Sequence, residues 1–516
     1  MSRLITLLSC VALCGFALPV RAQDTSFTPP KLSRGLELFA RHCAPCHGAD
    51  GDATGFVADL LRPRPRAFGE GTFKIVSTTH SMPHDEDFMQ VLRDGMPGTA
   101  MPAFGHLAEA DLRDLVAAVR HMLLLGRMGD ERMGDERGDG ERAHGRSIEH
   151  ALELLDPGVR LELPPEPRRT PLTMTRGREV FMRTCAHCHD ADGRGALRHD
   201  FVDNRGLPIL ARDFTRGLFK GGSASDDLAR RIRLGMPGTP MPAVQLSDAD
   251  LWAVVHYLQA LIEPGVQEHL RQRRRLITAL RVDGRLDAHA HEADWRRAPE
   301  VFVPLMPLQW RRDFPEGIRV RALHDGQRLA LRLEWPDELR DDSADGLVPD
   351  DGVAVQLSPL LDPPFFGMGA DDASVAILQW RASWQRELPG AQAARPVLSP
   401  GAPGPGGERP RRSDGSDLAS LGHGLEARWP VREASANGPG ELHGVTASRL
   451  DARGRGLRDG QGWSVVLYRE LSAADEGFAL GPGDIVSAAF ALWDGGADDT
   501  GARKSITIWH HLLLEE

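Results

Sequence analysis

The chain has 516 residues, of which 41% are hydrophobic and 26% charged, and it carries a formal net charge of −11. That length suits about three domains of ordinary globular composition. A net-negative chain gives a nucleic-acid role no electrostatic support.

Residues 1–22 predict a secretory signal: Arg3 supplies the positive start, Leu4 to Val20 is an uncharged apolar run, and Val20-Arg21-Ala22 offers a small-residue cleavage site. Cleavage after Ala22 removes Arg3 and Arg21 and leaves a charge of −13. The competing reading is an uncleaved anchor, since 17 uncharged residues is borderline for a span. Cys10 and Cys14 lack the small-residue box of a lipoprotein. No later stretch is long and apolar enough to cross a bilayer, so the expectation is a periplasmic or otherwise extracytoplasmic protein with no membrane span after cleavage. Losing Cys10 and Cys14 leaves four cysteines, and none is spare for a disulfide.

Those four lie in Cys43-Ala-Pro-Cys46-His47 and Cys185-Ala-His-Cys188-His189. Two thiols three positions apart can each add across a vinyl group of one porphyrin, and the following histidine reaches the iron, so C-x-x-C-H predicts covalent haem c. Zinc or dithiol chemistry also uses C-x-x-C. Against those readings, the whole motif occurs twice, and each copy is followed by a Gly-Met-Pro-Gly-Thr-x-Met-Pro run.

A first unit is expected over 31–126. Leu36, Phe39, Ala40 and Cys43 fall at helical spacing, and Leu112, Leu115, Val116, Val119 and Leu123 share one face of a second helix. A second unit over 172–265 repeats it, closing with Leu251, Val254, Val255 and Leu258 behind a Ser247/Asp250 capping pattern. Arg34-Gly35-x-Glu37-x-Phe39 returns as Arg176-Gly177-x-Glu179-x-Phe181, and Arg66-x-Phe68-x-x-Gly71-x-Phe73-Lys74 as Arg212-x-Phe214-x-x-Gly217-x-Phe219-Lys220. Between the units, residues 127–171 repeat Arg-Met-Gly-Asp-Glu and are rich in proline, which predicts a flexible, solvated linker.

Helices closing over a haem with a methionine loop between them resemble the class I cytochrome c fold, in both units. In similar cytochromes the sixth ligand lies in the Met-Pro pair nearer the closing helix, which implies Met101 with His47 and Met241 with His189. Met96 and Met236 are then packing residues. Bis-histidine ligation through His80, His84 or His106 is a rival for the first unit, but the second has no histidine at those positions.

From Leu276 to the end the texture is that of short alternating strands: Ile318 to Ala322 and Leu329 to Leu333 as a hairpin around Asp325-Gly326, then Val353 to Leu357, Val375 to Trp380, Trp463 to Tyr468, Ile485 to Trp493 and Ser505 to Trp509. Nine of the ten tryptophans lie here, which predicts a separate aromatic core and an all-β sandwich over 276–516. Seven Gly or Pro in residues 401–410 mark a disordered insertion at about 390–424.

Leu329 to Asp337, Phe365-Phe-Gly-Met368-Gly, Gln379-Trp380 and Phe490 to Gly496 followed by Arg503-Lys504-Ser505 resemble the haem b-binding domain of ethylbenzene dehydrogenase γ subunits, a dimethyl sulfoxide reductase type II group. That resemblance implies one non-covalent haem b held by Met368 and Lys504, and a molybdopterin enzyme with an iron–sulfur subunit as redox partner. The departure is two cytochrome units in front of a domain that elsewhere stands alone, so the partner stays open. Lys504 has a second argument. Only four of the 62 basic residues are lysine (Lys31, Lys74, Lys220 and Lys504), and lysine, unlike arginine, can offer a lone pair to a metal.

The whole chain is thus expected to be multidomain, two all-α cytochrome c domains followed by an all-β haem-binding sandwich, and to relay electrons to or from a respiratory oxidoreductase. The alternatives are a carbohydrate- or small-ligand-binding sandwich served by cytochromes, and a di-haem cytochrome enzyme with one open iron position.

Overall fold

The computed structural model describes residues 30–135, 153, 155–197, 200–265, 275–286, 292–311, 313–339, 341–342, 349–364, 368–369, 374–387, 430–438, 442–444, 453–458, 460–472 and 478–516. The expected signal segment and the insertion at about 390–424 lie outside these residues. Among the described residues, no helix is long and apolar enough to cross a membrane.

The first unit contains α1 (Leu32–His42), the short α2 (Ala44–His47), α3 (Asp85–Asp94) and α4 (Glu109–Asp135). Leu38 and Phe39 on α1 pack with Leu112, Leu115 and Val119 on α4. The α4 stripe read from the sequence is the one buried, but on α1 Leu36 and Ala40 are exposed and Leu38 takes their place beside Phe39. Gly35 explains the conserved spacing inside the chain: a Cβ there would collide with the Asp114 carbonyl of α4. The second unit has α5 (Pro171–Thr184), α6 (Ala186–His189), α7 (Ser225–Leu234) and α8 (Asp248–Ala260). Gly177 meets the Ala253 carbonyl in the same way. Thr170 and Ser247 cap α5 and α8, each accepting a backbone N–H three residues on.

The connection between the units is more structured than its composition suggests. Helix α4 runs on to Asp135, and residues 155–169 form a strap bonded to both units. The Leu161 amide donates to the Ser77 carbonyl at 2.7 Å. The Trp252 indole donates to the Pro164 carbonyl at 3.1 Å, and His256 meets Glu166 at 2.8 Å. The prolines stiffen the segment and its few apolar residues are used: Leu155 and Leu163 each join a core.

The C-terminal half is β-rich. Its strands are β1 (Leu276–Arg281), β2 (Val301–Pro304), β3 (Met306–Pro307), β4 (Gly317–His324), β5 (Arg328–Pro336), β6 (Gly352–Ser358), β7 (Val375–Arg381), β8 (Val431–Ala436), β9 (Leu442–Gly444), β10 (Arg453–Arg458), β11 (Gly462–Glu470), β12 (Ile485–Trp493), β13 (Ser505–Ile506) and β14 (His510–Leu514), with short helices α9 (Glu292–Arg297) and α10 (Ala382–Glu387). In place of the two separate sheets of a sandwich there is one hydrogen-bonded path, β10-β11-β5-β4-β1-β14-β12-β6-β7-β8-β9. It curls until β10 and β11 lie against β7, giving a barrel-like shape. The Gln385 side chain closes it, donating to the Gly456 carbonyl at 2.7 Å and accepting its amide at 2.6 Å.

Period-2 alternation sorts the side chains. Phe490 and Leu492, with Val353, Val355, Leu378 and Trp380, fill the inner core. Ala489, Ala491 and Trp493, with Ala354 and Ile377, form a second, outer cluster. The strand expected over 505–509 is split, because the Thr507 hydroxyl takes the Phe490 amide at 2.9 Å where a ladder bond would continue. The sheet also docks on the first unit: Met306 and Ile508 are buried in the same cluster as Leu38 and Phe104, and Arg62 exchanges backbone bonds with Leu308 and Trp310.

Candidate functional site

In each cytochrome unit the elements line an apolar cleft that is open to solvent, and the non-protein space there, open solvent included, is about 1250 Å³ in the first and about 1230 Å³ in the second. Cys43, Cys46, His47, Met96 and Met101 all line the first; Cys185, Cys188, His189, Met236 and Met241 all line the second. The helix ending at each first cysteine and the short helix that follows carry both thiols and the histidine to the cleft wall.

The histidines are held in one tautomer. His47 Nδ1 lies 3.0 Å from the Arg66 carbonyl, and His189 Nδ1 3.3 Å from that of Arg212. A carbonyl only accepts, so Nδ1 is the donor and Nε2 keeps its lone pair. Burial pushes both imidazoles below their ordinary value, His189 to about 4, so neutral rings are favoured. Phe68 stacks on His47 at 4.8 Å and Phe214 on His189 at 4.3 Å between ring centroids. The repeated Arg-x-Phe motif is therefore the support of the histidine, a role its sequence alone did not disclose. Its recurrence at equal distance before Lys74 and Lys220 was the available signal.

Burial pushes the Cys43 and Cys46 thiols up to about 12. A redox-active dithiol needs the opposite shift. Nor do the motif residues converge as a zinc site does. Among the described residues, the His, Cys, Asp and Glu side chains that gather their ligand atoms in threes are Asp341, Asp351 and Asp494, at the end of the sheet domain.

Both methionine loops have the same fold. The Met96 amide donates to the Met101 carbonyl at 3.1 Å, and Met236 to Met241 at 3.1 Å. The Thr99 and Thr239 hydroxyls donate to the Met96 and Met236 carbonyls. Gly95 and Gly235 start the loops at φ of 70° and 71°, a region that favours glycine. Both methionines of each loop face the cleft, so the loop geometry does not by itself choose between them. His106 lies near Asp362 at 3.5 Å and outside the first cleft lining, as do His80 and His84.

A porphyrin fits these clefts: the walls are mostly apolar, a neutral imidazole nitrogen and a thioether sulfur are available, and the lysines, arginines and carboxylates of the linings are Arg64, Arg66, Lys74 and Asp87 in one and Arg212, Lys220 and Arg231 in the other.

The third candidate site is the outer face of the sheet. Lys504 Nζ sits 4.8 Å from the Trp493 ring centroid, and Met368 packs half-buried on the cluster that contains Trp493, Trp384 and Trp509. Both predicted residues therefore meet one apolar face. Gln379, 2% exposed, opposes Ala354 on that face, and its Nε2 is buried without a hydrogen-bond partner. An orphaned donor beside an alanine- and tryptophan-lined surface suits a flat apolar ligand with a polar edge.

Comparisons with known proteins agree with the layout. Residues 30–120 match the family model described as cytochrome c oxidase, cbb3-type, subunit III, and residues 174–261 match the cytochrome c model. The chain is 25% identical over 226 residues to a Haloferax mediterranei protein named "Putative respiratory nitrate reductase heme subunit ORF7", covering 42% of this chain and 64% of that protein. It is 27% identical over 270 residues to the chlorate reductase subunit gamma of Ideonella dechloratans, covering 48% of this chain and 88% of that one. A solved Kuenenia stuttgartiensis reducing HAO-like protein complex, Kustc0457/Kustc0458, aligns with 45% of this chain and 96% of that chain at 29% identity, with a TM-score of 0.38 that carries no argument about fold. The N-terminal half thus holds cytochrome c domains, the C-terminal half is a β-rich, barrel-like sheet domain, and the chain is similar to haem-bearing subunits of respiratory reductases.

Proposed function

We propose that this protein is a periplasmic electron carrier holding two covalent haems c and one haem b, and that it relays electrons to or from a respiratory oxidoreductase. The observation that carries the reading is the paired cleft: twice, two thiols, a histidine with Nε2 left free by its Nδ1 bond, and a methionine loop line one apolar wall. Bound haem supplies one-electron storage at the iron. The chain's part is to hold it by thioethers at Cys43, Cys46, Cys185 and Cys188. His47 and Met101 would ligate the iron in one unit, and His189 and Met241 in the other. Two protein ligands on each iron would leave no place for a substrate, which favours electron transfer over oxygen or peroxide chemistry.

In the sheet domain Met368 and Lys504 would hold the haem b, supported by their shared aromatic face. The similarity to reductase haem subunits favours a partner of that class, a molybdopterin enzyme with an iron–sulfur subunit. The test is pull-down and reduction: the purified holoprotein, mixed with such an enzyme from the same source, should be reduced or oxidised within its turnover time. Failure to exchange electrons with any respiratory oxidoreductase of its host would sink the reading.

A further inference from the structure

The two cytochrome units are locked by a reciprocal exchange. Arg66 of the first unit donates to the Asn204 side chain at 2.7 Å and to the Gly238 carbonyl, in the second unit's methionine loop, at 3.1 Å. Its counterpart Arg212 donates to the Pro97 carbonyl, in the first unit's methionine loop, at 2.5 Å. Arg205 adds bonds to the Pro65 and Arg64 carbonyls at 2.9 and 3.3 Å. These residues form a seam shared with both cleft linings: Arg66 and Lys74 line the first cleft, Arg212 and Lys220 the second.

The seam is badly balanced in charge. Lys74 is surrounded by Arg66, Arg205 and Arg212 with Asp203 as the nearby carboxylate, and Lys220 by Arg212, Lys74 and Arg66. Asp203 is already engaged by Arg205 at 3.6 Å. Burial, then these neighbouring cations, lower Lys74 to about 8 and Lys220 well below its ordinary value. Half-buried like charges repel unless anions join them. A chain that uses lysine at only four positions puts two of them here, at matching places in the repeat.

We propose that this seam is a single binding site for the propionate carboxylates of both haems, shared between the units, and that Lys74 and Lys220 set the two midpoint potentials together. The proposal rests on the reading that each unit carries haem c. The chemistry follows from placement: each haem presents two carboxylates on the edge away from its vinyl groups, and its vinyl edge is fixed by the cysteines. A nearby cation favours the reduced iron, which has one positive charge fewer, so removing it lowers the potential. Because Lys74 and Lys220 act on each other across the seam, loss of either reaches both haems.

The test uses the full holoprotein, made in a host fed carboxyl-labelled aminolevulinate so that the haem propionates carry the isotope. Lys220→Met and Lys74→Met should each shift both midpoint potentials downward in a spectroelectrochemical titration. They should also move the labelled carboxylate bands in redox-difference infrared spectra, and Lys220→Arg should restore the potentials. If Lys220→Met does not accumulate, Lys74→Gln carries the same readouts. Two covalent haems by mass with unmoved potentials and bands overturn the seam alone, and so does a shift confined to one haem. Fewer than two covalent haems in the unaltered protein overturns the proposed function, and the seam with it.

Discussion

The Leu308 amide donates to the Lys504 carbonyl at 2.9 Å. Leu308 packs with Val57, Leu61 and Ala100 and against Cys46 of the first cytochrome unit, while the Lys504 side chain lies over Trp493. One residue therefore joins the outer face of the sheet to the wall of the first cleft.

Lys504→Arg keeps the charge but offers no ligating lone pair. The variant should lose acid-extractable haem while both covalent haems remain, measured by extraction and by mass. Full b-type occupancy with an unchanged spectrum would falsify the role of Lys504, and the sheet would then be read as a ligand-binding module.

Leu308→Ala removes a side chain that is 1% exposed at the junction of the two domains. The expected loss is about 2–4 kcal/mol in chemical denaturation. It should also separate the unfolding of the first unit from that of the sheet domain. A single unshifted transition would show that the junction contributes little.

The double variant Cys43→Ala with Cys46→Ala should retain one haem through acid denaturation, since thioether bonds survive it. The residual haem should map to a peptide containing Cys185 and Cys188. Two retained haems would remove the basis for the first cleft.

Met101→Ala and Met241→Ala should each abolish a weak sulfur-to-iron band at the red end of the oxidised spectrum and open one iron to carbon monoxide. Met96→Ala and Met236→Ala should do neither. The reverse pattern would transfer the ligand role to the earlier methionine of each loop.

Burial and the neighbouring carboxylates of Asp351 and Asp494 raise Asp337 to about 7, and burial raises Asp351 to about 6. Both lie above the ordinary carboxylate value, so between about pH 4 and 7 the folded state holds protons that the unfolded chain has released. Stability of the sheet domain should therefore fall as pH rises through that window. Calorimetry should give a lower Tm at about pH 8 than at about pH 5, and Asp337→Asn should flatten the slope. A Tm that rises with pH over this range would contradict the burial argument.

Features that are covalent or local were legible in the chain alone: two C-x-x-C-H sites, two methionine loops, amphipathic helices around them, and alternating strands after Leu276. Those follow from bonds and periodicities spanning a few residues. How distant residues are used follows from their packing in the folded chain. Nothing in the spacing shows that Arg66 and Arg212 reach into each other's methionine loops, since each contact joins residues more than a hundred positions apart. The proline-rich segment reads as a solvated tether because its apolar residues are few, yet Leu155 and Leu163 pack with the two cores, and Leu161, Pro164 and Glu166 bond the segment to both units. The sheet's curl into one barrel-like wall was likewise beyond reach. Alternation fixes which face of a strand is buried, but strand order depends on pairings such as β1 with β14, whose partners are more than two hundred residues apart.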